Sequence, residues 1–200
     1  MDDKNKMPQG YDFLKEVRQS KLYKSNIGRR NKKARQILES NCERIKRNRL
    51  VSGNLYIMKY IYPKTEEELE YWDTQPCSIV FGKFKTQEGE WRILTFALHY
   101  YPPRMRFQIL NRVLEIYKGI YKNHWDEGLL RSMSAIDYKT LVDQLKKAKL
   151  TFGVREYIPK LISECYLVPP KYWAVAVFTE GNFRKKSRDA ILNYWKNWKG

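Results

Sequence analysis

The chain has 200 residues, enough for one ordinary domain, and 42% hydrophobic with 14% aromatic residues can offset the entropy of ordering a core, which excludes wholesale disorder. Lys and Arg number 39 against 22 Asp and Glu, a formal charge of +17, and so large an excess points to an anionic partner: DNA, RNA or an acidic protein surface. No stretch reaches the roughly 20 uncharged apolar residues of a membrane-spanning helix, and Met1-Asp2-Asp3-Lys4 lacks the apolar run of a secretory leader, so the chain is expected to be made in a cytoplasm.

The positive charge gathers near the N-terminus. Arg18 to Arg49 holds twelve Lys or Arg and two acids, Glu39 and Glu43, a net of +10. Phe13, Leu14 and Val17 predict a short amphipathic helix. After a charged loop at Ser25-Asn26-Ile27-Gly28-Arg29-Arg30, the three- and four-residue steps of Ala34, Ile37, Leu38, Cys42 and Ile45 predict a second helix with one apolar seam. Such an arm docks by its seam and presents its cations elsewhere.

Ser52-Gly53 marks a change to strand-like runs. Leu55 to Tyr62 is the first, ended by Pro63, and the acidic Glu66-Glu67-Glu68 patch with Leu69, Tyr71 and Trp72 reads as a loop or single turn. Cys77 to Lys85 and Trp91 to Leu98 are predicted strands joined by a hairpin turn at Gln87-Glu88-Gly89-Glu90. At His99-Tyr100-Tyr101-Pro102-Pro103 the chain must turn, and Pro103 can open a helix. That helix is predicted to bury Met105, Ile109, Val113, Ile116 and Ile120, leaving Arg104, Arg106 and Arg112 for solvent or phosphate.

Ser134 and Asp137, before Leu141, Val142, Leu145 and Ala148, resemble a capping box opening another helix that ends near Phe152-Gly153. Val154 to Ser163 is ambiguous around Pro159, and Trp173 to Thr179 is strand-like by composition. A terminal helix capped by Ser187 carries Ile191, Leu192, Trp195 and Trp198 on one side.

Signs of catalysis are sparse. Asp73, Glu88 and Glu90 are the nearest approach to a metal-dependent nuclease, but Trp91 and Arg92 follow where such sites want a Lys, and Glu90 is as easily a turn residue. His99 and His124 are the only imidazoles, and His99 reads as a hydrogen-bonded structural residue; a metal site is not expected. No phosphate-cradling loop of the G-x-x-x-x-G-K-[ST] or G-x-G-x-x-G type occurs, so no cofactor is expected. Cys42, Cys77 and Cys165 are odd in number and far apart, which predicts buried, reduced thiols. Ile79 to Lys85 faintly resembles the aromatic strand of RNA-binding sheets, although alternating apolar and Lys residues more often mean one buried and one wet face.

Three stretches carry a family resemblance: Gly53-Asn54-Leu55-Tyr56 to Tyr60, Tyr71-Trp72-Asp73-Thr74-Gln75-Pro76, and Leu98-His99-Tyr100-Tyr101-Pro102-Pro103-Arg104-Met105-Arg106, with an echo at Trp173 to Thr179. From Ser52 onward the sequence resembles a family of small proteins of large tailed bacteriophages, often labelled DNA end protector or structural protein. Thr95-Phe96-Ala97 stands where such relatives often have Gly-Leu-Asn. The resemblance implies a virion-associated, DNA-proximal role and brings no catalytic residue.

Together these readings predict an α+β protein: a basic helical N-terminal arm over 1–52 and a core domain over 53–200, built on a small antiparallel β-barrel or curled sheet, SH3-like in one version, with flanking helices. The expected function is a non-enzymatic structural protein of the phage virion, at the head-tail connector or neck or at the packaged-genome end. Its cations would meet DNA without sequence preference and acidic neighbours such as portal or neck subunits, in a ring or hetero-oligomer. The residues expected to do so are Arg29, Arg30, Lys32, Lys33, Arg35, Arg44, Lys46, Arg47 and Arg49, with Arg104 and Arg106, and a second patch of Arg184, Lys185, Lys186 and Arg188. The alternatives are a metal-dependent nuclease or end-processing factor and an intracellular RNA-binding protein.

Overall fold

A computed structural model of the chain describes residues 12–22, 26–61, 73–121, 146–147, 151–183 and 185–197. Helix α1, Phe13–Gln19, starts where the Asp12 carboxylate accepts the Lys15 N–H at 3.1 Å. Helix α2, Ile27–Asn41, starts the same way, with the Asn26 side chain accepting from the Arg29 N–H at 3.0 Å. Its first turn therefore occupies most of the segment expected to be a charged loop. A side-chain cap satisfies one of the orphan N–H groups and stabilises a helix by about 1 kcal/mol, enough to offset the low helix propensity of Gly28.

Six antiparallel strands follow: β1 Glu43–Arg44, β2 Leu55–Tyr60, β3 Cys77–Lys85, β4 Trp91–Ala97, β5 Val154–Tyr157 and β6 Ile162–Val168. Their spatial order is β1-β6-β2-β3-β4-β5. The expected α+β class is present, but the sheet is open, with β1 and β5 at its two edges, and does not close into a barrel. The burial of β2 gives the physical reason. Leu55 and Ile57 belong to one buried cluster, and Tyr56, Met58 and Tyr60 to another on the opposite face. A sheet covered on both faces has no need to wrap around an interior of its own.

The larger cluster joins Val17, Leu22, Ala34, Leu38 and Cys42 of the N-terminal region to Leu55, Ile79, Phe96, Leu98, Leu110, Trp173 and Ile191. The smaller one is closed by Leu50 and Ile45, which pin residues 45–50 across the other face. Strands β3 and β4 form the expected hairpin, with Gly89 at φ 80° in its turn, a conformation open to Gly at little cost.

Several elements differ from their sequence signals. Trp173 to Thr179 is not a strand: Trp173–Ala176 forms a short helix, α4, closed by turns from the Phe178 and Thr179 N–H groups to the Val175 and Ala176 carbonyls. Its β-branched composition serves burial on several sides, and the Trp173 indole donates to the Val168 carbonyl at 2.9 Å. Val154 to Ser163 resolves into β5, a 3-10 turn at Pro159–Leu161 and the start of β6.

Helix α3, Pro103–Tyr121, buries Met105, Arg106, Leu110 and Leu114, while Ile109 and Val113 pack at its flank. Helix α5, Lys185–Asn197, already includes Ser187, which is therefore not its cap. The capping box at Ser134 and Asp137, the helical run Leu141 to Leu145 and the acidic Glu66 to Glu68 patch lie outside the described residues.

Candidate nucleic-acid interface

Helix α2 sorts its residues by face. Ala34 and Leu38 are buried, Arg30 is half-buried with its guanidinium 5.5 Å from the Phe178 ring centroid, and Arg35 donates to the Glu180 carbonyl and to Asn31 Oδ1. Asn31 Oδ1 also accepts the Glu180 N–H at 2.9 Å, so α2 is bonded as well as packed to the segment after α4. On the opposite side Arg29, Lys32, Lys33 and Gln36 are exposed, spaced by three, one and three residues, which places them on one solvent stripe. Helix α2 thus packs by its seam into the main core and holds three cations outward, while Arg30 and Arg35 are partly committed to the fold.

A second exposed basic run covers Arg44, Lys46, Arg47 and Arg49. Arg47 Nη1 donates to the Lys160 carbonyl at 2.8 Å, and Lys83 Nζ donates to the Asn48 carbonyl at 2.8 Å. Beside this run, Arg44 to Asn48 and Ile162 to Cys165 line an open groove of about 500 Å³. Its one acid, Glu164, receives Lys59 Nζ at 2.8 Å and the Tyr166 hydroxyl at 3.0 Å, and those two bonds hold its carboxyl below the usual range.

Arg104 is exposed as expected, but Arg106 is not available to phosphate. It is only 2% exposed and its guanidinium donates to the carbonyls of Tyr101, Val177 and Thr179. Burial lowers its pKa to about 10, which leaves it charged at neutral pH. Arg106 follows a Pro-rich turn whose backbone carbonyls need donors, and it closes that turn onto the segment just after α4. In the second patch, Lys185, Lys186 and Arg188 fall on α5 with their side chains outside the description, as is the whole of Arg184.

The nuclease candidate does not assemble as drawn. Asp73 is buried, with one carboxylate oxygen accepting the N–H groups of Gln75 and Asn182, each at 2.9 Å, and the other 2.6 Å from His99 Nδ1. Glu90 pairs with Arg92 at 2.8 Å and Lys160 at 3.4 Å, and Glu88 lies exposed in the hairpin turn. Among the described residues no group of three His, Cys, Asp or Glu could hold a metal ion.

His99 is the structural residue its position predicts. Its Nε2 lies 3.0 Å from Thr179 Oγ1, whose hydroxyl also reaches the Ala176 carbonyl at 2.8 Å. Burial pushes its pKa down to about 4, with Arg106 and Arg35 pushing the same way against the pull of Asp73. Asp73 is held below its usual range because the His99 contact and the two backbone N–H bonds outweigh its burial. The neutral ring then donates from Nδ1 to Asp73, with Nε2 beside the Thr179 hydroxyl.

Sequence reasoning missed Trp91, 54% exposed, and Phe84, 37% exposed, at the outer end of the β3–β4 hairpin, where Lys85 Nζ sits 5.2 Å from the Trp91 ring centroid. By contrast, Ile79 and Val80 are buried and Phe81 packs 6.0 Å from Phe96, so most of the aromatic strand faces inward. The three cysteines are buried, and burial raises each thiol to about 12. No helix among the described residues is long and apolar enough to cross a membrane.

An open antiparallel sheet packed against helices, with exposed cations on α2 and over residues 44–49, defines a basic α+β protein. The chain belongs to the family described as phage T4 terminal DNA protecting protein, which matches residues 4–189. No curated protein and no solved structure matches it. Membership in a phage DNA-protecting family agrees with a DNA-associated, non-enzymatic role and with association with the virion.

Proposed function

We propose that this chain is a non-catalytic virion protein that binds DNA phosphates, without sequence preference, at the end of the packaged genome. The observation that carries the reading is the outward stripe of Arg29, Lys32 and Lys33 on a helix whose other face is packed and bonded to the core. Cations held on an ordered scaffold lose less freedom on binding than cations on a loose tail, so more of their attraction appears as affinity. Arg44, Lys46, Arg47 and Arg49 extend the surface, and Arg104 with Arg184, Lys185, Lys186 and Arg188 supply further contacts.

The same residues serve against acidic subunits. The finer reading places the protein against portal or neck subunits in a ring or hetero-oligomer, between the head and the tail, after synthesis in the host cytoplasm. The excess of exposed cations suits acidic neighbours of that kind.

Binding of the full chain to a linear duplex, measured from low to moderate salt, tests the reading. With some six to ten phosphates neutralised, affinity should fall by roughly 10³ to 10⁵ between 50 and 200 mM salt. Affinity indifferent to salt, or absence of the protein from purified particles by mass spectrometry, would overturn it.

A further inference from the structure

We infer that the groove between residues 44–48 and strand β6 is a seat for one phosphate-bearing nucleotide at the end of a DNA strand; this rests on the DNA-binding reading above and gives it a specific site.

The groove exists because β1 is only two residues long. Glu43 and Arg44 pair with Leu167 and Tyr166, and the Ile45 N–H still reaches the Cys165 carbonyl at 2.8 Å. After that contact the chain leaves the sheet, and the outer edge of β6 from Ile162 to Glu164 is not covered by a strand among the described residues. The opening between the departing segment and that edge has a volume of about 500 Å³. This lies within the roughly 300–1,000 Å³ of small-ligand sites. A nucleotide or a strand end fits such a space, whereas a paired duplex is too wide to enter and can meet only the rim.

Its chemistry suits phosphate. Three of its lining side chains are cations, Arg44, Lys46 and Arg47, against the single carboxylate of Glu164. That carboxylate is already engaged by Lys59 and Tyr166, and its Arg44 contact is a loose 3.8 Å. Arg47 is fixed by Nη1 to the carbonyls of Lys160 and Ile162, at 2.8 and 3.5 Å, so its guanidinium plane is set while other N–H donors of its fork remain to meet an oxyanion. A pre-positioned Arg fork favours phosphate more strongly than a mobile cation does.

The experiment compares two probes with the full chain by fluorescence anisotropy at fixed salt. One is a linear duplex with short single-stranded, phosphorylated ends; the other is the same duplex closed by hairpin loops so that it has no termini. The wild type should prefer the open ends by at least about tenfold, a difference of about 1.4 kcal/mol.

The R44Q/K46Q/R47Q variant should bring the preference close to one. Ser163→Glu should do the same without removing any cation, since Ser163 is exposed and lines the groove. Thermal melting of both variants verifies folding. The R29Q/K32Q/K33Q variant should weaken both probes together and keep the preference.

Probes with 5′-phosphate, 3′-phosphate or hydroxyl ends define which terminus sits in the groove, and excess deoxyadenosine monophosphate should compete with the open ends alone. A wild-type preference near one, a preference that survives both groove changes, or open-end binding untouched by removal of every terminal phosphate would overturn the inference while leaving general DNA binding intact. Failure of the wild type to bind either probe would instead remove the wider reading.

Discussion

The knot around His99 and the outer stripe of α2 are both rich in polar and charged groups, and they use them in opposite ways. In the knot, Asp73, His99, Thr179 and Arg106 are all buried, and their hydrogen bonds tie three distant parts of the chain together. On α2, Arg29, Lys32 and Lys33 project into solvent while the apolar side of the same helix does the packing. Composition treats these groups alike. The difference teaches that a charge contributes to the fold or to a partner according to what surrounds it, as Arg104 and Arg106 show only two positions apart.

The largest expected effect comes from opening the knot. Asp73→Ala leaves the Gln75 and Asn182 N–H groups and the neutral His99 ring without their acceptor, and three donors orphaned at about 1–3 kcal/mol each give a loss of about 3 kcal/mol or more. Urea unfolding measures that loss; a change below about 1 kcal/mol would mean the carboxylate is dispensable to the fold. Next, Arg106→Met should cost about 2–3 kcal/mol through three abandoned carbonyls, whereas Arg104→Met should stay within about 0.5 kcal/mol. Equal effects of the two changes would erase the contrast.

Acid should act on the knot before it acts on the surface. The unfolded chain protonates His99 near pH 6.5 and the folded chain near 4, so the unfolded state takes up the proton first and stability falls as pH drops between those values. Asp73 adds its own loss only below about 3.8, as pH falls through its depressed folded value. The melting temperature should therefore decline from pH 6.5 to 4 in the wild type and decline less in His99→Gln. A parallel decline in both would sink the assignment.

The smallest effect on stability, and the clearest on binding, belongs to R29Q/K32Q/K33Q. Unfolding should change by under about 0.5 kcal/mol, while the slope of log affinity against log salt should become shallower by about 0.9 for each cation that had met a phosphate. An unaltered slope would move the interface off this stripe.

Much of the fold is legible in the sequence where a local pattern and a terminator coincide. Strand β3 runs from Cys77 to Lys85 as its β-branched and aromatic run predicts, because an apolar run followed by Lys residues and a Gly-bearing turn leaves little choice. Helix α2 shows its seam but hides its start, because the capping role of Asn26 is a single side-chain contact inside a charged stretch. Trp173 to Thr179 misleads because β-branched and aromatic residues report burial as readily as strand.

For the candidate site, the cations of residues 29–49 are legible as charge, but their sorting into bonded and outward residues depends on what α4 brings against α2. The groove leaves no local trace, since Arg47 and the Lys160 carbonyl that fixes it lie 113 residues apart. Likewise, His99 reads as structural, yet its partner Asp73 cannot be named from spacing alone.

The thiols bear on how the folded chain meets an oxidising medium. Cys42, Cys77 and Cys165 are buried, and a thiol raised to about 12 stays protonated in any ordinary medium. Oxidants and disulfides react through thiolate, so these sulfurs resist oxidation and disulfide exchange while the chain stays folded. The sulfur that fills the interior is thereby also shielded from air, and the folded chain keeps its thiols without a reductant.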